Sequence, residues 1–243
     1  GTTINFTGGG VTASGTGATK TINIPATGPS VAGARNTALG DNALLSANSS
    51  SEDNTAVGYS ALANLTFGFN NTAIGRNAGL NISTGSSNIA IGELTLDAET
   101  TGSNHIAIGR GALSTTDDGN GGADNLIAIG TSAMALSETL SFSTAVGSSA
   151  MYQQDGAYNT AVGYNSMQGQ VLSAVSDHTG SFNTAVGHST LSNVKTGSSN
   201  TAVGSSALQD CDSGRDNTAV GQGAARDITT GDDNVAIGES ALE

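Results

Sequence analysis

The chain has 243 residues, of which 36% are hydrophobic and 4% aromatic, and it contains no tryptophan. Its 20 acidic and 7 basic side chains give a net charge of −13, which repels DNA, RNA and anionic lipid and excludes them as main partners. No run approaches the ~18 apolar residues of a membrane-spanning helix, so we expect no membrane insertion. The sequence has no initiator methionine or signal peptide, and we interpret it as part of a longer polypeptide.

Residues 1–35 form the first predicted unit. Short stretches around Ile4 and Val11 alternate apolar with polar residues, and 21–24 is a third strand candidate. Glycine-rich segments separate them as turns. We predict a small β cap or connector, because the open strand edge of a terminal solenoid coil needs cover.

Residues 36–243 repeat the pattern Asn-Thr-Ala-Val-Gly-x-x-Ala-Leu, as at 54–62. We number positions from its glycine, position 0, which recurs twelve times on a base period of 17. Such a period indicates a solenoid. We predict an all-β parallel β-solenoid (a β-roll) of about twelve coils, each with two short strands and two turns. The position 0 glycines are Gly40, Gly58, Gly75, Gly92, Gly109, Gly130, Gly147, Gly163, Gly187, Gly204, Gly221 and Gly238.

Each position of the repeat predicts a side of the coil. Position −2 is always alanine, position −1 is always Val, Ile or Leu, and position −3 is usually Thr. In a strand, positions −3 and −1 share one face, while −2 and 0 share the other. The bulkier −3/−1 face is expected inside the coil, and the Ala/Gly face against a second copy of the chain. The resulting trimer-axis candidates are Ala56, Gly58, Ala73, Gly75, Ala202 and Gly204.

Three further features are predicted to be structural. Position +4 is Leu or Met in ten copies, including all three methionines, and is expected in the core. His105 occupies position −4, which Asn usually holds, and is expected to replace it structurally. Cys211 is the only cysteine and is expected to be a free thiol in a loop, since no intrachain disulfide can form.

The repeated motif resembles the head repeats of trimeric autotransporter adhesins, and more closely the related 17-residue repeats of phage tail-fibre proteins. The residues that carry this resemblance are Asn54-Thr55-Ala56-Val57-Gly58 and the variant Asn88-Ile89-Ala90-Ile91-Gly92. The resemblance covers about residues 36–242. It implies a left-handed parallel β-roll, either intertwined or side by side in a homotrimer. Adhesin heads commonly have shorter coils, so the loops here are expected to be longer.

Two long intervals interrupt the period, between Gly109 and Gly130 and between Gly163 and Gly187. Insertions in a solenoid become projecting loops, often on the binding face. Five of the nine aromatic residues lie within 142–182, beside the longer insertion. Their rings either contact a receptor sugar or pack the loop bases onto the roll. The receptor-binding candidates are Tyr152, Tyr158, Tyr164, Asp177, His178 and Phe182.

The chemistry-bearing residues form no recognisable catalytic set. Asp118, Asn120 and Asp124 alternate like the start of a calcium loop, but the bidentate Glu is missing, so a plain turn is the favoured interpretation. No nucleophile–base spacing and no phosphate-binding glycine loop appears. We therefore expect no enzyme, no metal and no cofactor.

The functional prediction is a structural and receptor-binding rod of a phage tail fibre in the virion. Its expected partners are two further copies of the chain and a host cell-surface glycan or protein. The first alternative is the head of a bacterial trimeric surface adhesin. An ice-binding solenoid and a polysaccharide depolymerase are further alternatives. The ice-binding hypothesis needs an exposed, regular Thr array, which the expected inward direction of position −3 disfavours.

Overall fold

The computed structural model describes residues 12–14, 21–23, 35–115, 125–137, 140–169 and 178–242. Within these ranges all regular structure is β, and there is no helix that could cross a membrane. The strands are β1 Thr12–Ser14, β2 Thr21–Asn23, β3 Thr37–Leu39, β4 Thr55–Val57, β5 Thr72–Ile74, β6 Ile89–Ile91, β7 Ile106–Ile108, β8 Ile127–Ile129, β9 Thr144–Val146, β10 Thr160–Val162, β11 Thr184–Val186, β12 Thr201–Val203, β13 Thr218–Val220 and β14 Val235–Ile237.

Strands β3 to β14 form one parallel sheet in which every strand pairs with the next along the chain. The register aligns each position of the repeat with itself, so Ala185 pairs with Ala202 and Val186 with Val203. Both long intervals preserve this register, because Ala107 pairs with Ala128 and Ala161 with Ala185 across them. This confirms the predicted parallel β-solenoid, which makes about eleven turns. Eleven spacings of ~4.8 Å give a sheet roughly 53 Å long.

The N-terminal region contains an antiparallel strand pair. Strand β1 pairs with β2 so that Ala13 faces Ile22. The other residues from 1 to 34 lie outside the described ranges. The role of this region as a cap therefore stays a prediction.

The predicted assignment of the two strand faces is wrong. The alanine at position −2 is buried within its own coil, as at Ala56, Ala73 and Ala202, all with 0% exposure. Positions −3 and −1 point outward instead. The physical reason is the thinness of the coil. Buried side chains at positions +3, +4 and +7 also fill its interior, so a facing strand has room there for only a methyl group.

The side of the coil that follows the strand is not a second strand, contrary to the prediction. Its residues at positions +2 and +4 have positive φ in every coil, for example 51° at Ser189 and 50° at Leu191. Backbone hydrogen bonds still connect successive coils here, as from Leu191 N to Ala207 O at 3.1 Å. A left-handed leucine costs about 1–2 kcal/mol. Burial of the side chain, worth about 1.5–3 kcal/mol, offsets this cost.

Position +4 is confirmed as a core position. Its Leu and Met side chains are fully buried along the rod, and the last of them, Leu242, is exposed where the described solenoid ends. All three methionines, Met134, Met151 and Met167, are among the buried ones. They pack with the alanines in one continuous core.

A ladder of largely buried asparagines at position −4 closes one corner of nine of the twelve coils, and His105, Leu126 and Ser143 hold this position in the other three. Asn200 Nδ2 donates to Asn183 Oδ1 at 3.1 Å and to Gly214 O at 2.8 Å, and its Oδ1 accepts from Asn217 N at 3.0 Å. His105 substitutes for Asn in this ladder, as predicted. Its backbone N donates to Asn88 Oδ1 at 2.9 Å, and its Nδ1 accepts from the next coil at 3.4 Å.

Candidate interaction surfaces

The outward face of the sheet carries an apolar stripe, defined as the Val, Ile and Leu residues at position −1 of β3–β14, and position −3, which is mostly Thr, lies beside it. The −1 side chains remain partly exposed although they stack in register, with 37% exposure at Val162, Val186 and Val203. Ile89 and Val235 replace Thr at −3 and add apolar surface. A continuous apolar face of this length is typical of a protein–protein contact. The sequence correctly revealed that position −1 is regularly apolar and that position −3 is mostly Thr, but the prediction placed both positions on the wrong side of the coil.

Three aromatic rings form a ladder at position −5, beside the stripe. Phe142 stacks on Tyr158 with 5.2 Å between ring centroids and 7° between planes, and Tyr158 stacks on Phe182 at 5.0 Å and 3°. The three residues are 52%, 50% and 61% exposed. The stacking brings together two predicted receptor-binding residues, Tyr158 and Phe182. It adds Phe142, which could have been found because it occupies the same repeat position.

The ladder fits neither predicted role of the aromatic cluster completely, neither contact with a receptor sugar nor packing of the loop bases onto the roll. The rings pack on one another and keep half or more of their surface exposed. Stacking on a sugar needs a free ring face, and both faces of Tyr158 are covered by its neighbours. The ladder therefore presents ring edges outward. Only the outer faces of Phe142 and Phe182 point away from the stack.

The other receptor-binding candidates that the structure describes do not join this ladder. Tyr164 is 54% exposed at position +1 and stacks on His188 at 5.5 Å and 17°. Tyr152 is half-buried, and its carbonyl accepts from Leu136 N at 2.8 Å on another side of the coil. His178 is fully buried, so its predicted place on a projecting loop is wrong. Asp177 lies outside the described residues.

The predicted trimer-axis residues lie within a single chain's own structure. Ala56, Ala73 and Ala202 point into the coil, which excludes them from a contact with another chain. The glycines Gly58, Gly75 and Gly204 are half-buried at the corner after the strand. There each packs against the backbone of the position 0 glycine of the next coil.

The calcium-loop candidates Asp118, Asn120 and Asp124 lie outside the described residues, as does most of each insertion. In the part of the chain that the structure describes, no group of three or more His, Cys, Asp or Glu side chains is arranged to hold a metal ion. Asp118, Asn120 and Asp124 are therefore untested as a site.

Polar side chains replace apolar ones inside the middle of the rod. At position +7, Leu65, Ile82 and Val194 are buried, but Glu99, Ser137 and Gln154 occupy the same place in coils between them. Glu99 Oε1 accepts from the backbone N of Thr101 at 3.0 Å and of Gly102 at 2.6 Å. Gln154 Nε2 donates to Val194 O at 3.1 Å. These bonds offset the cost of burying polar groups.

Cys211 also occupies position +7 and is fully buried in the core. The predicted free thiol outside the strands is confirmed. Its burial was not predicted, because the polar residues on either side of Cys211 hid an inward-pointing position. Burial raises the pKa of the thiol from 9.0 to about 11. A raised folded-state pKa stabilises the fold fully below pH 9, and this contribution is lost as the pH rises towards 11.

We expect native Cys211 to react with iodoacetamide at pH 8 at least about 100-fold more slowly than in guanidinium. Two pKa units lower the thiolate fraction about 100-fold, and burial slows access further. Alkylation followed by mass spectrometry measures both rates. A Ser205→Cys variant, whose added thiol lies on the exposed position +1, provides the control for reagent reactivity. Equal rates for the two thiols in the native protein would contradict the buried position.

Charges at position +1 pair along the rod on the side of the stripe opposite position −5. Arg76 Nη2 lies 2.6 Å from Glu93 Oε1, and Arg110 Nε lies 3.6 Å from Glu93 Oε2. The Arg76 guanidinium lowers the pKa of Glu93 below its usual value. All three side chains are well exposed, so this row contributes little to stability.

The fold and its regular outward face define a parallel β-solenoid repeat protein. Comparison with protein-family models, curated proteins and solved structures gives no match for this chain.

Proposed function

We propose that the chain is the structural and receptor-binding rod of a phage tail fibre, and that it works as a homotrimeric, left-handed β-roll. Three apolar stripes would face a common axis, and the two insertions would project towards a host cell-surface glycan or protein. The resemblance of the repeats supports the biological setting, a virion. A bacterial surface adhesin of the same assembly is the alternative setting.

The observation that carries the proposal is the exposed apolar stripe. Its −1 residues are Val, Ile or Leu at every coil, and from Leu39 to Ile237 they lie on one outward face. Such a face exposed along roughly 53 Å favours association over a monomeric state. Parallel in-register strands also repeat the same stripe position at every coil, so identical copies present matching surfaces to one another.

The native mass in solution tests the assembly. Light scattering behind a sizing column is expected to give a mass near three chains of 23.7 kDa each. A mass of one chain at micromolar concentration would remove the basis for the fibre and adhesin proposals.

Ice binding is a second candidate, because one of the objections to it no longer holds. The Thr residues at position −3 point outward rather than inward, and five successive coils from Thr144 to Thr218 carry them in register. Ile89, Ile106, Ile127 and Val235 still interrupt the array. Thermal hysteresis of a monomeric preparation would support ice binding, and its absence would dispose of it.

A further inference from the structure

The stripe is bordered by two exposed rows of side chains. We call position −5 the leading row and position +1 the trailing row. Both rows are mostly exposed along the described coils. In the middle of the rod both carry rings in the same two coils. Tyr158 and Tyr164 border β10, and Phe182 and His188 border β11.

The rings within each row are already aligned along the rod. The stacked rings of Tyr158 and Phe182 are nearly parallel, with 3° between their planes, and the planes of Tyr164 and His188 differ by 17°. Each pair therefore presents two ring edges side by side, one coil apart. Aromatic edges and half-exposed rings are favourable contacts at protein interfaces.

A closed threefold assembly determines which rows meet. When three stripes face an axis parallel to the rod, the leading row of each chain borders the trailing row of its neighbour. Rotation about that axis moves no chain along it, so each coil meets the same coil of the neighbour. The six-residue offset from the leading to the trailing row shifts this level by only about 1.7 Å of the ~4.8 Å coil rise.

We propose that Tyr158 and Phe182 of one chain pack against Tyr164 and His188 of a second copy, which forms three aromatic clusters around the rod. This inference depends on the proposed homotrimer and specifies its contacts. The clusters fix the axial register of the three chains. They also brace the coil from which the longer insertion departs, since that insertion lies between Tyr164 and Phe182.

Charges along the two rows agree with pairing at equal levels. In the first coil Arg35 stands in the leading row and Asp41 in the trailing row, which brings opposite charges together. Among the described coils, like charges meet at one level only, where Asp233 would lie beside Glu239. The arrangement is therefore largely free of charge repulsion.

A disulfide between the rows tests the pairing. The full chain is prepared with Tyr158→Cys and Tyr164→Cys together, with each change alone, and with the mismatched pair Tyr158→Cys and Ser205→Cys. Within one chain the positions 158 and 164 lie on the order of 15 Å apart across the strand. This exceeds the ~7 Å Cα separation that a disulfide permits. Any bond is therefore between chains, and buried Cys211 does not compete.

The matched pair is expected to give a covalent trimer on a non-reducing denaturing gel after mild oxidation, in more than half of the material. The single variants and the mismatched pair are expected to give less than about one tenth of that yield, because the 7 Å limit excludes a two-coil displacement. A trimeric native mass without the matched cross-link, or with equal cross-linking of the mismatched pair, would overturn this inference and leave the homotrimer standing. A monomeric native mass would overturn both.

Discussion

A chain that carries Gly187→Ala is expected to lose about 3–5 kcal/mol of unfolding free energy, which is at the upper end for a single substitution. Gly187 has φ +143°, a conformation that side chains rarely adopt. A Cβ there would lie 2.6 Å from Gly204 O and 2.7 Å from Gly204 C. Both atoms are backbone, so relief would require two hydrogen-bonded coils to separate.

The matched control is Gly111→Ala at position +2. Gly111 has φ +64°, and a Cβ there meets nothing closer than Ser132 Oγ at 3.8 Å. Its cost is limited to about 1–2 kcal/mol for a left-handed alanine. Guanidinium denaturation followed by circular dichroism compares the two variants. Equal denaturation midpoints for the two variants would contradict the close approach of successive coils at the position 0 glycines.

Replacing two stripe residues with acids, Val186→Glu and Val203→Glu together, is expected to convert the proposed trimer to a monomer. Each change would bring three carboxylates together in an apolar contact, which costs several kcal/mol unless they are neutralised. We expect the concentration at which half of the trimer dissociates to rise at least 100-fold. Light scattering over a dilution series measures this shift.

The control adds the same charge elsewhere. Thr196→Glu with Thr230→Glu places two acids at exposed positions away from the stripe, and this variant is expected to remain trimeric. Far-ultraviolet circular dichroism checks that both double variants keep the fold. If the stripe variant assembles as tightly as the control, the trimer contact lies on another face of the solenoid.

The repeat period predicted most of the fold, because backbone pairing between identical coils depends on few side chains. Twelve glycines at a spacing near 17 indicated parallel coils in register, and the pairing of Ala185 with Ala202 shows that register. The buried methionines and the place of His105 in the asparagine ladder were also predictable. Each occupies a position whose other members show its role.

The candidate site was only partly predictable. Tyr158 and Phe182 were identified from the local density of aromatic residues, but their stacking with Phe142 depends on alignment of position −5 across the longer insertion. His178 was assigned to a projecting loop because of that insertion, whereas the chain has returned to the core by this residue. The length of an insertion does not reveal at which residue the chain returns to the core.

The sequence by itself determined a parallel β-solenoid and the positions that must be small, apolar or asparagine. Only the tertiary structure decided which of those positions face inward. Alternation along a strand identifies two faces but does not show which of them points into the coil. A position that is always alanine fits either a tight interior or a tight interface between chains. The leucines and methionines at position +4 resolve this. They fill the coil so completely that only a methyl group fits opposite them, and Val186 and its counterparts are left outside.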